Sequence, residues 1–405
     1  MAIVEDVKKP QVESGRAPHR SLMIWLRNSL TADFAPLPVG VSLLVIALVF
    51  QSLNSRFLSP DNLANLVGQV VPLGFIATGV VLMLLAGEID LSVGIVSGLG
   101  ASVMAVLNVN HGWNPWLCIV AAVLVGAAVG FIHGAFVTFF GLPSFVVTLA
   151  GLLTWQGVMF SILGNTSTIN VSDPSLTSLS SSHMTEISSY VLVALALLVF
   201  AIATWMTRRR RSQLGLPVMS VRAAFARFVL LAVPLLGIVY VLNSARGVAL
   251  SLVILVLLIV VVDLVTRHRR IGRHLFAIGG NEEAARRAGI RIRHLRILVF
   301  MAGSALAALG GVFAASRLLA VSTASGGGDV LLNAIAAAVI GGTSLFGGRG
   351  SAWAALLGAL VIGSVSNGMD LLSFGSSTKF IVTGLVLLAA VSVDATLRNR
   401  FRAAG

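Results

Sequence analysis

Two carboxylates lie close together in a setting where carboxylates are rare. Glu88 and Asp90 occur in Ala86-Gly-Glu-Ile-Asp-Leu-Ser-Val-Gly94, between two long apolar runs, with no basic residue beside them in the sequence. An acidic side chain at membrane depth is costly and usually faces a pathway or relays protons. Gly87 and Gly94 would let a helix break there, as transporter helices do beside their substrate route. One reading is a structured loop that shapes a pathway or its gate. The other is a short polar turn in which Asp90 caps the following helix.

A second candidate lies in the hydrophilic segment 267–296. Here Ile271–Ile290 reads IGRHLFAIGGNEEAARRAGI, followed by Arg291, Arg293 and Arg296. Asn281 is a good helix N-cap, and Glu282 and Glu283 complement the positive end of the helix dipole. Ala284 to Ala288 are helix formers, and Gly289 can end the turn. The spacing predicts a helix of about two turns over 281–288, too short to be stable in water without something to pack against. A partner protein on that face would supply the missing surface.

Other chemistries find no support. Gly341-Gly-Thr-Ser-Leu-Phe-Gly-Gly-Arg-Gly-Ser351 is glycine-rich but lacks the Gly-Lys-Ser/Thr ending of a phosphate-binding loop, and the only lysines are Lys8, Lys9 and Lys379. It is read as tight turns between closely packed helices. The seven histidines, at 19, 111, 133, 183, 268, 274 and 294, form no metalloprotease pattern. His133, within an apolar run, is read as a satisfied polar residue. Cys118 is the single cysteine and is read as a small packing residue, which excludes an intrachain disulfide. No hydrolase constellation emerges, so the chain is not expected to be an enzyme or to hold a metal or cofactor.

These residues must be positioned by membrane helices. Of 405 residues 57% are hydrophobic and 11% charged, against roughly 45–50% and about 25% in soluble domains. Apolar runs predict an all-α bundle of about twelve transmembrane helices, over 37–53, 63–86, 91–107, 116–140, 144–164, 190–206, 228–243, 247–266, 297–316, 329–342, 352–371 and 378–394. With the N-terminus in the cytoplasm, alternation puts 24 of the 28 Lys and Arg inside and leaves Arg56, Arg246, Arg317 and Lys379 outside. Both termini are then cytoplasmic. The domain reading is a tail over 1–36, a transmembrane domain over 37–395 and a second tail over 396–405. The net charge of +13 follows from these loops and not from a nucleic-acid-binding surface. Gly126, Gly130 and Gly134, with Gly303, Ala307, Gly310 and Gly311, fit close helix packing within one subunit. The Ser/Thr/Asn-rich segment 165–189 falls on the outer face, where a soluble partner could dock.

Four segments carry a resemblance. GEIDLSVG at 87–94, LPSFVVTLAG at 142–151, AIGGNEEAARRAGI at 277–290 and AIAAAVIGGTSLFGG at 334–348 resemble, in order, the permease subunits of bacterial ABC importers for ribose, xylose and related sugars. The likeness runs from about residue 40 to 395. An enlarged middle section, with RRRRSQLGL at 208–216 and LNSARG at 242–247, is most similar to the xylose-type branch, as is Asn367-Gly-Met369.

The resemblance implies an inner-membrane permease that works as two copies. Two cytoplasmic ATPase subunits would bind the ATP, and an extracytoplasmic binding protein would deliver the sugar. The 281–288 helix would then be the coupling helix, with Glu282 and Glu283 in polar contact with the ATPase and Gly280 and Gly289 setting its turns. Asn333, Thr343, Ser364 and Asn367 are the expected weakly polar pathway residues, with Glu88 and Asp90 at the gate. The rival reading is a proton-coupled sugar carrier that uses Glu88 and Asp90 as its relay.

Overall fold

The structure is a computed structural model that describes residues 36–386 and 388. The expected tails, 1–36 apart from Pro36 and 396–405, lie outside the described residues, as does most of the far half of the 378–394 run. Helices follow the apolar runs. In chain order they are α1 Pro36–Leu53, α2 Pro60–Leu85, α3 Val93–Ala105, α4 Pro115–Phe139 and α5 Ser144–Leu163. The strand β1 Thr168–Asn170 and α6 Pro174–Ser181 precede α7 Glu186–Gln213, α8 Val221–Asn243 and α9 Leu250–His268. Then come α10 Arg270–Gly280, α11 Glu282–Arg287, α12 Ile292–Leu318, β2 Ala320–Ser322, α13 Gly328–Ile340 and α14 Trp353–Leu371. A last helix, α15, covers 376–386.

Among the described residues nine helices are long and apolar enough to cross a bilayer, and Val39–Leu53 and Gly328–Ile340 are shorter apolar helices. A count of twelve spans is therefore more than the described residues provide. Two polar segments are also more ordered than expected. α7 carries its helix through Arg208–Arg211, so the basic loop shrinks to 214–220. Segment 267–296 holds α10 ahead of α11 and is largely helical. α10 buries Gly272, Leu275 and Ile278 on one face, a period the charged residues between them obscure.

The core is organised around α12, which packs against α2, α3 and α4. Its small residues set those contacts. A methyl on Gly126 would come within 2.6 Å of the Ser304 carbonyl oxygen and one on Gly79 within 2.5 Å of that of Gly303, while Gly130 lies against Phe300 and Gly311 against Ser97. Backbones approach closely because lipid offers no apolar gain for bulkier contacts. Both glycine stripes thus serve packing inside the chain.

Segment 165–189 is stitched onto the same helix. β1 pairs antiparallel with β2, Ile169 opposite Val321. Asp173 caps α6 by accepting from Ser175 N at 2.8 Å, and Ser180 Oγ donates to the Phe313 carbonyl at 3.0 Å. By contrast α7 and α8 pack mainly on each other, through Val193, Leu197, Ala232 and Val239, and form a peripheral hairpin.

Candidate functional site

All four segments of the resemblance meet at one end of the bundle. α2 ends at Leu85, and the chain turns through Gly87, whose φ of +79° is the left-handed region that glycine enters freely. The loop 86–92 is held from α5: Ile89 N donates to Ser144 Oγ at 3.2 Å and Leu91 N to Thr148 Oγ1 at 3.0 Å. Both acceptors belong to the LPSFVVTLAG segment. From the third side, Gly348 N donates to the Leu85 carbonyl at 3.2 Å. The end of α10 fits between them. A methyl on Gly279 would overlap the Leu85 carbonyl and come within 2.5 Å of Gly348 N, whereas one on Gly280 would meet nothing within 4 Å. The close approach thus requires glycine at 279, while Gly280 is the last residue of α10 and has no positive φ. Gly289, at φ +77°, does turn the chain out of α11.

Immediately beyond this junction, α11 forms where the sequence places it. Asn281 Oδ1 accepts from Ala284 N at 3.0 Å, and Ala285 is buried against the bundle. Glu282 and Glu283 differ. Among the described residues Glu283 bonds only Arg287, at 3.1 Å, and both side chains are more than half exposed. Glu282 Oε1 accepts from Arg286 at 2.9 Å, and its Oε2 accepts from Arg296 Nη2 at 2.9 Å. Arg296 Nε also donates to Glu88 Oε1. Glu88 is therefore paired, which corrects the expectation of a lone carboxylate. The partner lies 208 residues away, so no local pattern could disclose it. One arginine, on the first turns of α12, joins α11 to the α2–α3 loop. A groove of about 1050 Å³ lies between these parts, lined by Glu88, Ser144, Glu282 and Arg296 among others.

Asp90 takes the turn-forming role. Its Oδ1 accepts from Ser92 N at 2.7 Å and from Ser92 Oγ at 2.6 Å, while Ser92 itself is the N-cap residue of α3. Asp90 Oδ2 faces His133 Nδ1 at 3.9 Å, beyond hydrogen-bond range, and both atoms are buried without a partner among the described residues. His133 is satisfied on its other side only, where Trp155 Nε1 donates to Nε2 at 2.9 Å.

The expected pathway residues separate. Asn367 Oδ1 accepts from Asn62 Nδ2 at 2.8 Å and is buried, a tie between α14 and α2. Ser364 is buried on α14, and Thr343 lies under Gly350 with its Oγ1 buried and unpartnered among the described residues. None of the three lines the polar cavity at the opposite end, and Asn333 does. That cavity, of about 400 Å³, gathers Gln69 from α2, Ser97 from α3, Arg317 from α12, Asp329 and Asn333 from α13, and Ser366 and Asp370 from α14. Asp329, Asn333 and Ser366 also line an adjoining cavity of about 260 Å³ beneath Lys379, which pairs with Asp370. Arg317 and Lys379 are two of the four basic residues that the charge pattern assigned to the outer face, a sequence signal that points here together with Asn333. Arg317 lies 21 positions after Arg296, so the α12 helix spans about 30 Å from the junction to the cavity at 1.5 Å per residue.

Comparison with known proteins decides the family. Residues 62–391 match the family described as branched-chain amino acid transport system / permease component. This chain belongs to that family. It is 36% identical over 347 residues to the xylose transport system permease protein XylH of Escherichia coli (strain K12), covering 86% of this chain and 88% of that one. It is 34% identical over 368 residues to XylH of Haemophilus influenzae, covering 90% and 98%. Identity to the ribose import permease protein RbsC of Escherichia coli is 30% over 354 residues, covering 87% and 92%. No solved structure matches the chain. The chain is a multi-pass membrane permease, the transport component of an ABC-type importer.

Proposed function

We propose that this permease carries a pentose, D-xylose first, across the bacterial inner membrane. It does so as one of two copies in an importer driven by separate cytoplasmic ATPases and fed by an extracytoplasmic binding protein. The substrate reading rests on the named relatives, since the family description itself also spans amino-acid transport. The orientation reading places the junction in the cytoplasm, because the basic segments 207–227 and 267–296 and Arg349 gather at that end.

The observation that carries the mechanism is Arg296. An ATPase that grips α11 moves Glu282, and Arg296 passes that displacement to α12 and, through Glu88, to the loop that leads into α3. α12 and α3 are also walls of the far cavity, through Arg317 and Ser97. Packed helices respond to such a push as rigid bodies. The same arginine holds Glu88 in an ion pair, so the proton-relay reading keeps only Asp90 of its two carboxylates.

The test is ATP hydrolysis by the chain in lipid nanodiscs with its neighbouring ATPase and sugar-loaded binding protein, comparing xylose, ribose and arabinose. Stimulation by one sugar is expected. Among the described residues Glu283 hydrogen-bonds Arg287 alone, in an exposed pair, so Glu283→Gln should change thermal stability little yet weaken ATPase docking by about tenfold or more, as lost interface charge pairs do. Unchanged docking would place the contact elsewhere. Proton-driven uptake by the chain alone would refute the importer reading.

A further inference from the structure

The polar cavity at the far end of α12 has more hydrogen-bonding capacity than the fold uses. Gln69, Arg317, Asp329, Asn333 and Ser366 make no side-chain hydrogen bond among the described residues, although each lines the same 400 Å³ space. The space is partly open: Arg317, Asp329 and Asp370 are exposed and Gln69, Asn333 and Ser366 half-buried, so a small polar ligand can reach all of them. These five come from α2, α12, α13 and α14, so no single turn or cap accounts for them.

We propose that this cavity is a transit site for one neutral polyhydroxylated molecule, read through its hydroxyls and held weakly. The proposal rests on the importer reading for its substrate class and adds the site. A sugar hydroxyl both donates and accepts, and the lining offers both functions. Arg317 supplies donors only and Asp329 acceptors only, while Gln69, Asn333 and Ser366 supply either. Formal charge is balanced, with Arg317 and Lys379 against Asp329 and Asp370. A lining without net charge gives an ionic ligand no electrostatic advantage over an uncharged one. The lining includes no Trp, Tyr or Phe. The aromatic platform that a sugar ring would stack against is missing, so binding is by hydroxyl contacts alone, which suits a site that must release what it receives. A branched-chain amino acid, the other substrate class in the family description, would satisfy one cation and one carboxylate and leave the remaining polar groups unmatched.

The chain lends itself to a direct test because Cys118 is its only cysteine and is buried. In a Cys118→Ser background, Ser366→Cys and Gln69→Cys would each be alkylated with N-ethylmaleimide, using the full chain in nanodiscs. D-Xylose should slow both reactions, by about threefold at twice its dissociation constant, as one-site occupancy requires. L-Leucine should not, and a distant Ser212→Cys should be indifferent to either. Adding Arg317→Gln with Asp329→Asn should abolish the slowing, read as the ratio of the rates with and without sugar in the same variant. No slowing up to the solubility limit of the sugar, or cysteines that never react, would overturn the site. Sugar-stimulated ATP hydrolysis without protection would overturn the site alone and leave the importer reading standing. Equal protection by leucine would overturn the hydroxyl reading together with the pentose assignment.

Discussion

Arg296 shows how much can depend on one side chain. It is largely buried and bonds two carboxylates, Glu88 and Glu282, that belong to different elements. Removing a buried partner leaves an uncompensated charge at a cost of about 3–5 kcal/mol. Arg296→Met should therefore lower the thermal midpoint in detergent markedly. A change within a degree or two would mean that Glu88 is adequately solvated on its own. The acidic pair itself was legible in the sequence because membrane-depth carboxylates stand out. The turn held by Asp90 was one of the two readings the sequence offered, whereas the pairing of Glu88 was in neither. Proximity across 208 residues is a property of the packed bundle.

At the scale of elements, two adjacent glycines separate packing from propensity. Gly279 is wedged between the Leu85 carbonyl and the Gly348 backbone, and Gly280 faces open space. A methyl forced into a filled junction costs about 1–3 kcal/mol or more. Gly279→Ala should thus lower thermal stability by several degrees, whereas Gly280→Ala should be neutral or slightly stabilising, since alanine favours a helix end residue over glycine. Equal effects would show that α10 does not dock as described. α11 was the most legible element, because an N-cap asparagine and two acids mark a helix start through local chemistry. α10 was not, because its buried face is a three-residue stripe among arginines and histidines.

Across the whole molecule, α12 links the junction to the cavity, and stability and transmission can be uncoupled along it. In the Glu88→Gln, Arg296→Met double variant both charges are gone, so much of the stability lost by Arg296→Met alone should return. Sugar-stimulated ATP hydrolysis should stay low, because α11 is no longer tied to α12 or to the α2–α3 loop. Recovery of both stability and stimulation would show that the push travels by another route.

Hydrophobic length determined, without any coordinates, that this is a multi-span helical membrane protein and roughly where its apolar helices run. Helix capping located α11, and four sequence segments pointed to the family. These are local quantities, set by a residue and its near neighbours along the chain. Only the tertiary structure decided that those four segments form one junction, that Arg296 ties it together, and that Asn333 lines the polar cavity while Thr343, Ser364 and Asn367 do not. Which face of a membrane helix meets a neighbour depends on its rotation and on the backbone contacts its glycines permit, and apolar sequence on all sides of a helix leaves that rotation unwritten.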